Sequence, residues 1–269
     1  MADPRSADIK DQPGFRSIAI ICLCVLYAPI LILMIFSLNT GSLVTRWEGI
    51  GLGWYGSALL NQEFHNAAKN TLIISVTATI ISTIAATLAA IGMTRVKPWR
   101  GLSAAFMVIN LPLMVPEIIT AVATLSFFAL IASTLGLNFG INLILAHTVF
   151  CIPFAYMPIR ARLEDMDLTL EAAAADLYAT PWHAFRRITL PLLVPGILSG
   201  GALAFIVSFD DFTITQLVAG PGQTTLPLYI WNQIRRPMTP EINAISTILL
   251  LVSILFVSIS FLIARRRAK

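Results

Sequence analysis

Six stretches of mostly apolar residues recur along this chain, at 17–38, 71–93, 104–132, 140–159, 197–218 and 244–263. About twenty such residues are what an α-helix needs to cross the hydrocarbon core of a bilayer. Lipid offers no hydrogen bonds to a backbone, so a spanning segment must satisfy its own amides, as a helix does. The runs therefore predict an all-α membrane protein with six transmembrane helices. The expected layout is one transmembrane domain over 17–264, a tail at 1–16 and a basic tail at 265–269. Composition agrees. Of 269 residues, 57% are hydrophobic and 12% charged, and mean hydropathy is +0.81. A soluble fold of this length needs more charge to cover its surface. The first run is not a cleaved leader: it is long, follows a mixed-charge tail and lacks a small-residue cleavage site.

Basic residues set the expected orientation, because Lys and Arg accumulate on the cytoplasmic side. With the N-terminus inside, the cytoplasmic segments hold Arg5, Lys10, Arg16, Arg95, Lys97, Arg100, Arg160, Arg162, Arg186, Arg187, Arg265, Arg266, Arg267 and Lys269. The outer segments hold only Arg46, Lys69, Arg235 and Arg236. Both termini are thus expected in the cytoplasm of a bacterial inner membrane. The net charge of +4 does not point to nucleic acid, since no soluble basic domain carries it. Cys22, Cys24 and Cys151 lie inside apolar runs, without metal or disulfide spacing. His147 and His183 have no metal-binding partners nearby in sequence and read as a buried polar contact and a solvated loop residue.

Ionisable side chains inside a membrane are expensive and usually face a cavity. The spans hold three: Glu117, Asp210 and Asp211. Each of the first two lies 13 positions into an outward-running span, or roughly 20 Å at 1.5 Å per residue. No basic residue lies in any span, so the acids form an unpaired negative site suited to a cation. Neighbours on a helix point about 100° apart, so Asp210 and Asp211 do not face one cavity equally. A second reading remains open, in which either aspartate caps broken backbone or binds a partner chain. Pro29, Pro112, Pro116, Pro153 and Pro158 also fall in spans. Pro112 and Pro116, just before Glu117, allow either a broken helix or a simple kink.

The segment from about 160 to 195 is too polar to span. Its alanine-rich part, 170–177, favours a helix, with Thr169 as cap and Glu171 in the first turn. Thr180-Pro181 marks a second start, and that helix is expected to stop at about Leu190, before Pro191. The product is a helix–turn–helix knob on the cytoplasmic face.

This stretch resembles the "EAA" coupling loop of binding-protein-dependent ABC importer permeases. The pattern is Glu-Ala-Ala, three residues, Gly, then Phe, Ile and Leu-Pro, and Phe185, Ile188, Leu190 and Pro191 fix the register. Tyr178 then stands where the family has glycine. Ala172 stands at the glutamate position, with Glu171 one residue early. The resemblance implies that Glu171, Ala172, Ala173, Asp176, Tyr178, Pro181, Phe185, Ile188 and Pro191 dock an ATPase. Leu52-Gly53-Trp54-Tyr55 followed by Ala68-Lys69-Asn70-Thr71-Leu72 resembles the outer segment entering span two of the same permeases, and Ser208-Phe209-Asp210-Asp211-Phe212, Gly220-Pro221-Gly222, Leu226-Pro227-Leu228 and Thr239-Pro240-Glu241-Ile242-Asn243-Ala244 resemble the spermidine/putrescine subgroup. That similarity implies a MetI-like permease fold and a polyamine cargo. It adds Trp54 and Ser208 to the pathway, an aromatic face being attractive to ammonium. It implies as partners a second homologous permease, two cytoplasmic ATPases that bind the ATP and Mg, and a periplasmic solute-binding protein. No cofactor is expected in this chain itself, which has no Gly-Lys pair and so no phosphate loop. Two alternatives stand beside this: a stand-alone secondary transporter or channel, and an importer permease for ferric ion, thiamine or an opine. The segment 226–234, with Tyr229 and Trp231, is expected outside as an interfacial helix or an outer gate.

Overall fold

The computed structural model describes residues 14–97, 99–135, 141–235, 239–251 and 254. Among these the regular structure is helical, and one isolated bridge, Asn39 to Ile50, is the sole extended pairing. Two compact units form: residues 1–62 with 230–269, and residues 63–229.

In the first unit α1 (Phe15–Phe36) carries Pro29 without breaking, and its apolar side chains, with Cys22 and Cys24, are exposed. The following loop winds around Asn39, which is fully buried. Its amide donates to the carbonyls of Leu43 and Arg46 at 3.2 and 2.7 Å, and its oxygen accepts from the N–H groups of Gly41 and Glu48. A buried amide with all its bonds made fixes a loop that has no repeating structure of its own. Helix α2 (Gly53–Leu60) follows.

The second unit opens with α3 (Gln62–Thr94), which starts nine residues before the apolar run at 71. Its first two turns are too polar to register as membrane-spanning, although Gln62, Glu63, Ala67, Ala68 and Lys69 favour a helix. The run at 104–132 is not one helix. It divides into α4 (Leu102–Met114) and α5 (Glu117–Leu135), with Val115 extended at φ −96° and ψ 137°. Pro116 favours this, because its ring crowds the helical region for the residue before it. Pro112 stays inside α4, so the break, rather than a kink, is the outcome. Helix α6 (Asn142–Glu164) runs through Pro153 and Pro158 and continues past 159, where Arg160 Nε donates to Glu164 at 2.7 Å. Residue 140, the expected start of that span, lies outside the described residues.

Three short elements follow, α7 (Thr169–Asp176), α8 (Pro181–Ala184) and a π turn at Phe185–Thr189, and then the long α9 (Leu190–Asp210). The second helix of the knob does not stop before Pro191, as the sequence suggested. It passes through the π turn into α9, so that 181–210 is one helical path. Proline is tolerated in the first turn of a helix, and the wider π turn accommodates it there. The run at 197–218 is likewise interrupted. Asp211 is extended, and α10 (Thr213–Val218) restarts beyond it. Helix α11 (Leu226–Ile234) coincides with the expected outer segment, and α12 (Pro240–Leu251) completes the described helices.

The core lies along the seam of α6 and α9. Tyr156, Ile159, Leu163 and Leu193 are fully buried there. A Cβ on Gly196 would stand 2.6 Å from Arg162 Cβ, and one on Gly200 would stand 2.5 Å from the Ala155 carbonyl. Ala204 continues the line, its carbonyl accepting from Cys151 Sγ at 3.4 Å. Small residues every fourth position let the two backbones approach closely, as in packed membrane helices.

Five described helices are long and apolar enough to span: Arg16–Phe36, Gln62–Thr94, Glu117–Thr134, Asn142–Glu164 and Pro181–Asp210. The sixth run, 244–263, overlaps α12. The rest of that run apart from Ile254, residues 1–13 of the first tail and the basic tail 265–269 lie outside the described residues, and α1 takes up the end of the first tail from Phe15.

Candidate functional site

Both broken spans carry their carboxylates at the break. Glu117 is the first residue of α5, where an acid complements the positive helix end. Asp210 ends α9, and Asp211 precedes α10. Helices α5 and α10 pack together, which sets Glu117, at the head of α5, close enough to Asp211, before α10, for the two carboxylates to interact. The structure thus brings together acids 94 positions apart in sequence.

The two aspartates have different surroundings. Asp211 is buried. Its carboxylate accepts from Ile214 N–H at 3.2 Å, Thr215 N–H at 2.9 Å and Thr215 Oγ1 at 3.0 Å. It therefore caps α10. His147, from α6, reaches the same carboxylate at 3.3 Å through Nε2. That ring also bonds Thr215 Oγ1 at 3.1 Å through Nε2 and Ser208 Oγ at 2.8 Å through Nδ1. A buried polar cluster with every member partnered holds one geometry. Asp210, by contrast, is exposed and has no ion pair among the described residues. Ser208 is buried with its hydroxyl engaged by His147. Trp54 is half-buried in the first unit, where its Nε1 donates to the Gly41 carbonyl at 3.1 Å and steadies the Asn39 loop. The sequence reading placed His147 among buried polar contacts, and its partners could not be read from spacing.

The knob is the second concentration of signal. Asp167, and not Thr169, receives the first turn of α7: Thr169 N–H donates to Asp167 Oδ1 at 2.9 Å. That bond, with one from the Thr169 side chain, holds the Asp167 carboxyl below its ordinary value. Helix α7 ends in a Schellman turn. Ala179 N–H donates to the Ala174 carbonyl at 3.0 Å and Tyr178 N–H to the Ala175 carbonyl at 2.9 Å. Tyr178 occupies the left-handed position at φ 58°, the only non-glycine residue with positive φ among the described residues. The turn has kept the shape that glycine would give it, with tyrosine in place. Thr180 caps α8 by accepting from His183 N–H at 3.3 Å, and Pro181 is the first helical residue, both as expected.

Leu177, Tyr178 and Trp182, three large apolar side chains within six positions of the knob, are 82%, 96% and 69% exposed. Phe185 is half-buried and stacks on Trp182 with ring centres 5.6 Å apart. Ala172, Ala173, Asp176, Pro181 and Pro191 are exposed, and Ile188 is half-buried. Glu171 points inward instead: its Oε1 accepts from Arg95 Nε at 3.2 Å and from Thr189 Oγ1 at 2.9 Å. Arg162 Nε donates to the Leu192 carbonyl at 2.9 Å, tying the end of α6 to the start of α9.

Comparison with known proteins bears on the family and the fold. A family model described as "Binding-protein-dependent transport system inner membrane component" matches residues 78–268. The putrescine transport system permease protein PotI of Escherichia coli (strain K12) is 39% identical over 228 residues, 84% of this chain and 81% of that protein. The spermidine/putrescine transport system permease protein PotC of the same strain is 33% identical over 91% of each chain. The Haemophilus influenzae PotC is 34% identical over 90% of this chain and 92% of its own. Among solved structures, a chain of a bacterial ABC transporter that imports the acidic polysaccharide alginate shares the fold. Its TM-score is 0.72 at 21% identity, over 99% of both chains.

Proposed function

This chain belongs to the binding-protein-dependent transport system inner membrane components, and from that premise we propose that it is the permease subunit of an ATP-driven importer of polyamines. The observation that carries the reading is the pairing of an exposed, rigidly built knob at one end of α6 and α9 with carboxylates at helix breaks in the same unit. The relatives named for putrescine and spermidine support the cargo.

In this reading Glu117 and Asp210 offer negative charge to a passing di- or triamine. Asp211 and Ser208, held by His147, keep the break in shape. A second, homologous permease completes the pathway. Two ATPases bind the ATP and Mg and grip the knob on the cytoplasmic side, where both termini also lie. A periplasmic receptor delivers the solute. Closure of the ATPases then rocks the helix pairs between outward- and inward-open states. Chemistry on ATP takes place on the partner chains.

The test is uptake of labelled putrescine and spermidine by the full assembly carrying Glu117→Gln or Asp210→Asn. Each variant is expected to lower uptake about tenfold or more, since a hydrogen bond to a charged group contributes about 1.5–3 kcal/mol. Uptake unchanged in both would remove this cation site and leave the importer class standing.

A further inference from the structure

We infer that Glu171 is a brace inside this chain, not a contact to the ATPase, and that Arg95 is a positioning residue for coupling. The inference rests on the reading of the knob as the ATPase docking element and adds to it what fixes the knob's angle.

Helix α7 has eight residues, too few to hold a helix alone in water. Most of its surface is open: only Ala174 is buried. Its orientation must therefore come from specific ties, and Glu171 supplies the polar ones. One carboxylate oxygen, Oε1, takes both Arg95 Nε at 3.2 Å and Thr189 Oγ1 at 2.9 Å. Thr189 is buried at the end of the π turn that leads into α9. Arg95 extends a second arm, Nη2, to the Leu163 carbonyl near the end of α6 at 3.0 Å. A single ion pair thus joins the end of α3, the end of α6, the docking helix and the root of α9. The Arg95 and Glu171 side chains are only 17% and 27% exposed. A carboxylate so enclosed and already neutralised has little charge to offer another protein. Its place one residue ahead of the family's glutamate accords with an inward direction. Motion imposed on α7 is passed to three transmembrane helices at once.

The experiment is a double-mutant cycle in the full assembly: Arg95→Ala, Glu171→Ala and the pair together, read as polyamine imported per ATP hydrolysed and as ATPase recovered with the permease. Each single variant is expected to lower the transport ratio about tenfold, and the pair no further than either single, because both remove one tie. ATPase recovery is expected to stay at the wild-type level in all three. Losses that multiply in the pair, a drop in ATPase recovery with Glu171→Ala alone, or a wild-type ratio in both singles would each overturn the brace. If Glu171→Ala does not assemble, Glu171→Gln keeps an acceptor for Thr189 while losing the ion pair, and the same non-additivity with Arg95→Ala decides. A wild-type assembly that neither holds an ATPase nor imports would instead overturn the docking reading on which the brace rests.

Discussion

Tyr178 sits where an L-residue is strained. Its backbone is left-handed at φ 58°, which places Cβ too close to a carbonyl oxygen and costs about 1–2 kcal/mol. Its ring is 96% exposed, so no packing within this chain offsets that cost. Tyr178→Gly is therefore expected to tighten the turn by about 1 kcal/mol, slowing amide exchange at residues 178 and 179 about fivefold. If the ring meets the ATPase, the same variant weakens docking while stabilising the loop, and Tyr178→Ala weakens docking without the gain in protection. Exchange that is unchanged or faster in the glycine variant would show that no strain is stored there. At this same level the sequence reading was uneven. Thr180 and Pro181 could be placed because capping is local chemistry between near neighbours. Glu171 and Asp211 could not, because their partners arrive from 76 positions away, at Arg95, and 64 away, at His147.

Among the elements, the seam of α6 and α9 is the most tightly specified. A methyl group on Gly200 would meet the Ala155 carbonyl at 2.5 Å, so Gly200→Ala forces the helices apart. A destabilisation of about 1–3 kcal/mol is expected, as for overpacked cores. Gly92, inside α3, has open space around the same position, and Gly92→Ala is expected to be neutral or to stabilise by up to about 1 kcal/mol. Thermal unfolding of the two variants in the same detergent makes the comparison, and equal midpoints would refute the close-packing argument. Hydropathy located most spans but not how they begin, break or end. The first turns of α3 are polar yet helical, and Asn142–Glu164 absorbs two prolines whereas Pro116 divides its span. Proline 153 and 158 lie in a helix packed on its neighbours, which can re-satisfy freed carbonyls. Asp211 interrupts its span without any proline and caps the helix that restarts beyond it, the outcome that the second reading of these aspartates had kept open.

For the whole molecule, the exposed side chains of Leu177, Tyr178 and Trp182, with Phe185 stacked on Trp182, are the surface that the proposed ATPase would cover. Phe185→Asp places a charge beneath that surface and removes the stack on Trp182. It is expected to abolish ATPase recovery and uptake together while the permease still inserts, as followed by membrane fractionation and co-purification. Retained ATPase binding would move docking elsewhere. The unbroken path from Pro181 to Asp210 has a further consequence. Thirty helical residues extend about 45 Å at 1.5 Å each. A tilt of about 5° applied at one end of such a rod displaces the other by about 4 Å, comparable to the rise of most of a helical turn. Because the helical path continues through the π turn without a loop, the proposed coupling would carry a small stroke outside the bilayer to the far end as a gap the width of an alkyl chain.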